Sequence, residues 1–246
     1  MKVLLFGATG MVGQGVLREC LRADDVKLVQ TVGRSALEQY HPKLLDLVHT
    51  DMTNFSAVES RLRGFDACFF CLGVSSAGMN EADYTHITYG FTLAAAETLV
   101  RLQPGMTFIY VSGASTDSTE GGRSMWARVK GRTENALLRL PFKAVYLFRP
   151  GIIQPLHGVR SKTAAYRVFY TVAAPLLPLL RALFPRSVLT TEIIGLAMLN
   201  AARRGAPQPV LEVADINALA REGNRCGVAV LCTHVHCPDP TRRGRC

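Results

Sequence analysis

The sequence predicts an α/β protein with a doubly wound, mostly parallel sheet, and three observations carry that prediction. Short apolar runs alternate with longer amphipathic ones along most of the 246 residues, the rhythm of strand–helix–strand units. The first apolar run ends in a turn with glycines at positions 7, 10 and 13, which opens directly into a helix-period stretch. The chain is 48% hydrophobic, enough at this length for one large core rather than two small ones.

Taken in order, "KVLLF" (2–6) reads as the first strand, and a helix runs from about Met11 to Leu21. "VKLVQTV" (26–32) and "LLDLVHT" (44–50) follow as strands, then a short helix near 55–62 and the strand "DACFFCL" (66–72). A long helix over 81–102, the strand "MTFIYVS" (106–112), a helix over 123–140 and the strand "KAVYLFR" (143–149) continue the series. Strands this apolar suit a parallel sheet covered on both faces, and such sheets bind ligands beyond the carboxyl ends of their strands. Residues 150 to about 222 break the rhythm with proline-containing loops, two helices and a short strand-like "PVLEV" (209–213), which suits the substrate side of a cleft.

The expected organisation is one nucleotide-binding domain over 1–222 and an unstructured tail over 223–246. That tail holds four cysteines, two histidines and four arginines against one acid. Three of its cysteines (226, 232, 237) are separated by five and four intervening residues rather than paired at Cys-x-x-Cys, so no metal site is expected. The formal charge is +9, but the basic residues are scattered and not interleaved with aromatics, so nucleic acid is not an expected partner. A modest positive excess suits an anionic small molecule or simple solubility.

Cys20, Cys68 and Cys71 sit among apolar neighbours, which predicts buried thiols and a reducing, cytoplasmic setting, and no signal peptide is read at the N-terminus. "VFYTVAAPLLPLL" (168–180) is uncharged but contains Pro175 and Pro178, and it is shorter than the roughly 20 residues a spanning helix needs. It reads as a lid, a subunit contact or, over 168–184, a weak membrane-surface element, and the apolar 163–200 stretch leaves a homo-oligomer open.

The glycine turn carries the chemistry. Gly7 permits a tight turn, Gly10 lets a pyrophosphate approach the backbone, and Gly13 lets the helix pack closely on the sheet. Thr9, Met11 and Val12 complete this phosphate-binding turn, where the helix N-terminus offers free N–H groups and partial positive charge. About 20 residues on, where a carboxylate would bind the ribose 2′-hydroxyl of NAD, stand Gly33 and Arg34. An arginine there can pair with a 2′-phosphate, so NADP(H) is expected over NAD(H), an ordinary solvated arginine being the plain alternative. Two later strand ends are expected to hold adenine and ribose: Asp51 and Met52 after the third strand, and Leu72, Gly73 and Val74 after the fourth.

With these residues in view, the chain resembles the short-chain dehydrogenase/reductase superfamily. The resemblance is to its atypical NAD(P)-binding branch, related to the epimerase/dehydratases and to the Tat-interacting-protein-like oxidoreductases. It rests on "GATGMVG" (7–13), "VGR" (32–34), "YVSGA" (110–114), "WARVKGRTE" (126–134) and "FRPG" (148–151), and it covers about residues 1–220. The resemblance implies that Lys130 holds the nicotinamide ribose and that Ser112 approaches the substrate carbonyl. It also implies that Pro150, Gly151 and Ile152 contact the carboxamide. The chain departs from the family at one place: the tyrosine expected four residues before the lysine is Trp126, whose indole N–H only donates. Tyr84, His86, Tyr89 and Tyr110 are the other residues that could carry a proton.

The expected function is therefore an NADP(H)-binding oxidoreductase or epimerase-like enzyme for a small, fairly apolar carbonyl or alcohol. The alternative is a non-catalytic NADP(H) sensor or interaction module in which cofactor occupancy orders residues 150–190.

Overall fold

The structure is a computed structural model that describes residues 1–157 and 188–229, with side chains up to residue 222. Seven strands form its main sheet: β1 (Lys2–Phe6), β2 (Leu28–Gly33), β3 (Leu44–Val48), β4 (Ala67–Phe70), β5 (Thr107–Val111), β6 (Ala144–Phe148) and β9 (Val210–Leu211). Their spatial order is β3-β2-β1-β4-β5-β6-β9, and every neighbouring pair is parallel. The order reverses between β1 and β4, so the turn after β1 opens at the point where the two halves of the sheet diverge. The predicted doubly wound α/β fold is what forms, a Rossmann-type sheet.

Burial explains the composition of the central strands. Val3, Leu4, Leu5 and Phe6 of β1 and all four residues of β4 are buried, because helices cover both faces. One face is covered by α1 (Met11–Arg22), α5 (Thr191–Arg204) and α6 (Val213–Ala229), around Val16, Leu17, Cys20, Ile194, Met198 and Ile216. The other is covered by α3 (Phe91–Leu102), α4 (Met125–Leu138) and a 3-10 turn at Ser56–Leu62, around Phe6, Phe55, Phe70, Phe108 and Leu99. Phe6 stacks on Phe70 and meets the edge of Phe55, with ring centroids 5.1 and 5.9 Å apart.

The predicted elements hold with shifted ends and three differences. The long helix 81–102 is three pieces: α2 (Glu81–Thr85), a π-helical turn at His86–Gly90, and α3. "PVLEV" pairs only through Val210 and Leu211, after which α6 starts at Val213 and runs to Ala229, past the expected tail boundary at 223. A second, two-stranded parallel sheet joins β7 (Ile152–Gln154) to β8 (Val188–Thr190), and the Thr190 hydroxyl then caps α5 by accepting from the Ile193 N–H. The 168–184 segment and residues 230–246 lie outside the described residues. No helix among the described residues is long and apolar enough to cross a membrane.

The helix that carries the "VKGRTE" residues is fixed to the loop before it. Asp117 turns that loop by accepting from the N–H groups of Thr119 and Gly122, and its own N–H donates to Ala127 O. Arg128 donates to the carbonyls of Gly122 and Arg123 and pairs with Glu81, tying α4 to α2. Gly131 lets the loop lie directly on the helix, since a Cβ there would sit 1.7 Å from Asp117 O. Gly131→Ala is expected to lower stability by about 1–3 kcal/mol or more, seen as a lower urea midpoint at unchanged m. An unchanged midpoint would mean the loop can lift off without loss.

Candidate functional site

A cleft of roughly 1120 Å³ opens along the carboxyl ends of the parallel strands. At its centre is the turn after β1. Gly7 has φ +78°, and a Cβ on it would lie 2.6 Å from Leu72 N of the neighbouring strand end. Gly10 caps α1 with extended backbone and no side-chain hydrogen bond, which leaves the first N–H groups of the helix facing the cleft. Gly7, Thr9, Gly10, Met11 and Val12 all line it. Gly13 does not; it lies one turn inside α1, where a Cβ would stand 2.1 Å from Gly7 O, and so holds the turn against the helix.

One end of the cleft is formed by the β2 end. Arg34 and Ser35 line it, and Arg34 is exposed with no ion pair among the described residues. Asp46 on β3 lines the same end and was not foreseen. Its carboxylate accepts from the Thr31 hydroxyl (2.6 Å) and from the Leu37 N–H (2.8 Å), which staples the loop that presents Arg34. The only signal for it was one acid interrupting the apolar strand "LLDLV".

Besides Gly13, three expected residues are not brought to the lining: Asp51, Met52 and Ile152. Asp51 turns back on its own chain, accepting from the N–H and hydroxyl of Thr53, which with further local hydrogen bonds holds its carboxyl below the usual range. Met52 is buried in the core beside Phe55. Strand β3 ends at Val48, so the chain has left the cleft before position 51. Leu72, Gly73 and Val74 do line it, joined by Ser75 and Ser76. At the β6 end Pro150 and Gly151 line the cleft, while Ile152 points outward at 48% exposure and Ile153 takes the inward place.

The other end holds Ser112, Gly113, Trp126, Lys130 and Tyr84. Ser112 follows β5, and its hydroxyl lies within hydrogen-bond distance of Glu134 Oε1 and of Phe148 O (3.2 Å). Glu134 is buried at 1% exposure and forms a two-point pair with Arg149, whose Nε is 3.1 Å from Oε1 and whose Nη2 meets Oε2. Arg149 reaches on to Ser118 Oγ (2.6 Å) and Glu212 (3.2 Å). This Ser112–Glu134–Arg149 chain was missed as a unit, although "VKGRTE" and "FRPG" contain both charged members. Lys130 Nζ lies over the Tyr110 ring, 5.4 Å from its centroid, and burial lowers its pKa to about 8 against the opposing pull of Glu134.

Of the four other proton carriers considered, only Tyr84 lines the cleft. Tyr110 is buried, and burial pushes its phenol up. His86 meets Phe91 edge-on, and Tyr89 lies under the Arg132 guanidinium.

These residues can hold a dinucleotide. The cradle at Gly7 and Gly13 is one that a Cβ would fill, the uncapped helix start suits a pyrophosphate, and Arg34 supplies charge at the ribose end.

Comparison with known proteins agrees with this geometry. Residues 3–122 match the NAD dependent epimerase/dehydratase family model. Protein FMP52-2, mitochondrial, of Scheffersomyces stipitis is 27% identical over 161 residues, which are 64% of this chain and 67% of that protein. Protein fmp52-2, mitochondrial, of Aspergillus oryzae is 27% identical over 230 residues, 89% of this chain and 96% of that one. Protein HTATIP2 of Rattus norvegicus is 24% identical over 154 residues, 61% of this chain and 62% of that protein.

Among solved structures, the Bordetella bronchiseptica enzyme WbmF in complex with NAD+ superposes with a TM-score of 0.64 at 17% identity, covering 90% of this chain and 77% of that one. A Saccharomyces cerevisiae short chain dehydrogenase/reductase gives 0.61 at 16% identity, covering 89% and 98%. The resemblance to atypical short-chain dehydrogenases/reductases with an NAD(P)-binding Rossmann fold is thus borne out, and a nucleotide-binding, oxidoreductase-like function is what the matches support. The cytoplasmic expectation is corrected: relatives named mitochondrial point to the mitochondrion instead. Buried thiols such as Cys20 and Cys68 are shielded in any compartment and carry no address.

Proposed function

We propose that this protein binds NADP(H) in preference to NAD(H) and works as an oxidoreductase or epimerase-like enzyme on a small, fairly apolar carbonyl or alcohol. The observation that carries this reading is the continuity of one cleft, from Arg34 through the glycine turn to Ser112, Trp126 and Lys130. A bound nicotinamide dinucleotide supplies or accepts the hydride. The protein's part is to bind, orient and move a proton. The start of α1 and the glycine turn hold the pyrophosphate, with backbone N–H groups doing the work. Arg34, presented by the loop that Asp46 staples, pairs with the 2′-phosphate. Lys130 holds the ribose, Pro150 and Gly151 flank the carboxamide, and Ser112 meets the substrate oxygen. Trp126 closes the substrate end against water and cannot itself ionise.

The test uses Trp126, the single tryptophan of the chain, as a reporter. NADPH is expected to quench its emission and to brighten in turn by energy transfer. Arg34→Ala is expected to weaken NADPH about 10- to 100-fold, the loss of a charge-assisted pair, and to leave NADH nearly unchanged. Equal weakening of both nucleotides would make Arg34 a general surface charge and end the NADP(H) preference. A second reading, a non-catalytic NADP(H)-binding module, is favoured by Trp126 standing where an ionisable tyrosine would be. Tight NADPH binding without turnover across a broad panel of carbonyls and alcohols would select it.

A further inference from the structure

Lys130 has a carboxylate one helical turn away and does not pair with it. Glu134 follows at i+4, the spacing at which lysine and glutamate commonly meet on a helix. Its oxygens are instead taken by Arg149 and by the Ser112 hydroxyl. No ion pair or hydrogen bond of Lys130 is present among the described residues; its ammonium faces the Tyr110 ring and the cleft. A cation left this way, beside a carboxylate fully engaged elsewhere, is free to gain and lose a proton.

Few groups at this end of the cleft carry a mobile proton. The indole of Trp126 does not give up its N–H in the useful range. Ser112 has one proton, and both groups within its reach, Glu134 Oε1 and Phe148 O, are acceptors belonging to the protein. Toward the cleft Ser112 therefore offers lone pairs, which suits a ligand hydroxyl better than a carbonyl. Tyr110 is buried beneath Lys130, and Cys71 lines the cleft at the glycine turn with its thiol pushed up by burial. The groups around Lys130 are thus Glu134 on its own helix, with Arg149 of the β6 end behind it, and Tyr110 on β5, while Tyr84 on α2 lines the same cleft.

We infer that Lys130 Nζ is the proton carrier of this cleft and that the matching substrate is an alcohol, whose single hydroxyl proton rests on Ser112 Oγ when the substrate binds and turns to the lysine amine, which takes it, as the hydride leaves. This deepens the oxidoreductase reading and rests on it. The electrons balance as in any alcohol oxidation: the O–H pair becomes the second C–O bond, and the C–H pair departs as hydride to the oxidised nicotinamide. The O–H proton stays on Nζ until water removes it. The reverse sequence reduces the carbonyl. Burial brings the amine to a pKa of about 8, so both of its forms are present near neutral pH.

The test probes the amine without relying on turnover. The protein is treated with benzaldehyde and cyanoborohydride from pH 6 to 10, and alkylation at each of the six lysines is followed by peptide mass spectrometry. Each amine condenses with the aldehyde, losing water, and the imine is reduced to a stable secondary amine. Lys130 is expected to react about tenfold faster than the other lysines at pH 7, with its rise centred near pH 8, and NADP+ is expected to slow it. A Lys130 that reacts no faster than the others, or whose rate climbs with theirs toward pH 10, overturns the assignment.

In parallel, NADP+-linked oxidation of benzyl alcohol is measured against pH. The rise with pH is expected to disappear in Lys130→Arg and persist in Tyr84→Phe; the opposite pattern gives the proton to Tyr84 and overturns the proposal. Selective alkylation of Lys130 in a protein whose Trp126 emission ignores NADPH would instead remove the cofactor reading, and the redox step with it.

Discussion

Glu134→Ala is expected to lower the unfolding free energy by about 3–5 kcal/mol, the cost of stranding a partner inside a buried ion pair. Glu134 is 1% exposed, and the Arg149 side chain 11%. Without the carboxylate the guanidinium keeps Ser118 Oγ and the half-exposed Glu212, too little to replace a buried two-point pair. The pair itself adds little net stability over an apolar equivalent; the damage comes from breaking it on one side. Glu134→Ala with Arg149→Met is therefore expected to recover a good part of the loss, and Glu134→Gln to lie between. Urea midpoints for the four proteins decide the point. A loss below about 1 kcal/mol in Glu134→Ala would be the behaviour of a surface pair and would contradict the burial. The same variant leaves Phe148 O as the one protein acceptor for the Ser112 proton among the described residues, so the hydroxyl is held less firmly and the preference for a hydroxyl ligand is expected to weaken.

The parts of the site that were legible in the sequence are those fixed by local geometry. Gly7, Gly10 and Gly13 declare themselves because a strand, a turn and a helix follow within a dozen residues. The structure then shows the reason for each: a positive φ, an uncapped helix start and a 2.1 Å approach that no Cβ could survive. Arg34 and Leu72 to Val74 were legible for the same reason, each standing immediately after a strand. Asp51, Met52 and Ile152 lie off the lining because a strand end aims only the residues that its length and pleat allow. Three residues beyond Val48 the chain has turned away, and alternation sends Ile153, not Ile152, inward. The Ser112–Glu134–Arg149 chain and Asp46 were not legible, because they join a helix to two strand ends and one edge strand to a neighbouring loop. The change of composition at 223 falls within α6, which runs to Ala229. Periodicity reports which face of an element is apolar. It does not report which polar groups on different elements meet.

Lys130→Met is expected to make the unliganded protein more stable at pH 7, by about 1–3 kcal/mol, while removing the proton carrier. Burial lowers the ammonium from 10.5 to about 8 despite the opposing pull of Glu134, whose oxygens are bonded to Arg149 and Ser112 rather than to the lysine. Below pH 8 the lysine is charged in both folded and unfolded chains, and the folded chain bears the whole desolvation penalty. Between about 8 and 10.5 the unfolded chain holds a proton the folded one has released, so the stability of the unaltered protein rises with pH. Above that window the penalty is gone. The advantage of the methionine is therefore expected to be full at pH 7 and to shrink toward zero by pH 10, with the lower part of the range favoured because the side chain keeps some contact with solvent. Urea midpoints of the two proteins at pH 7 and pH 10 measure it. No gain at pH 7, or an equal gain at both, would mean that the ammonium is not held at a cost. A gain that vanishes as described identifies a residue whose charge destabilises the fold that keeps it, as expected where a site is built for proton transfer rather than for stability.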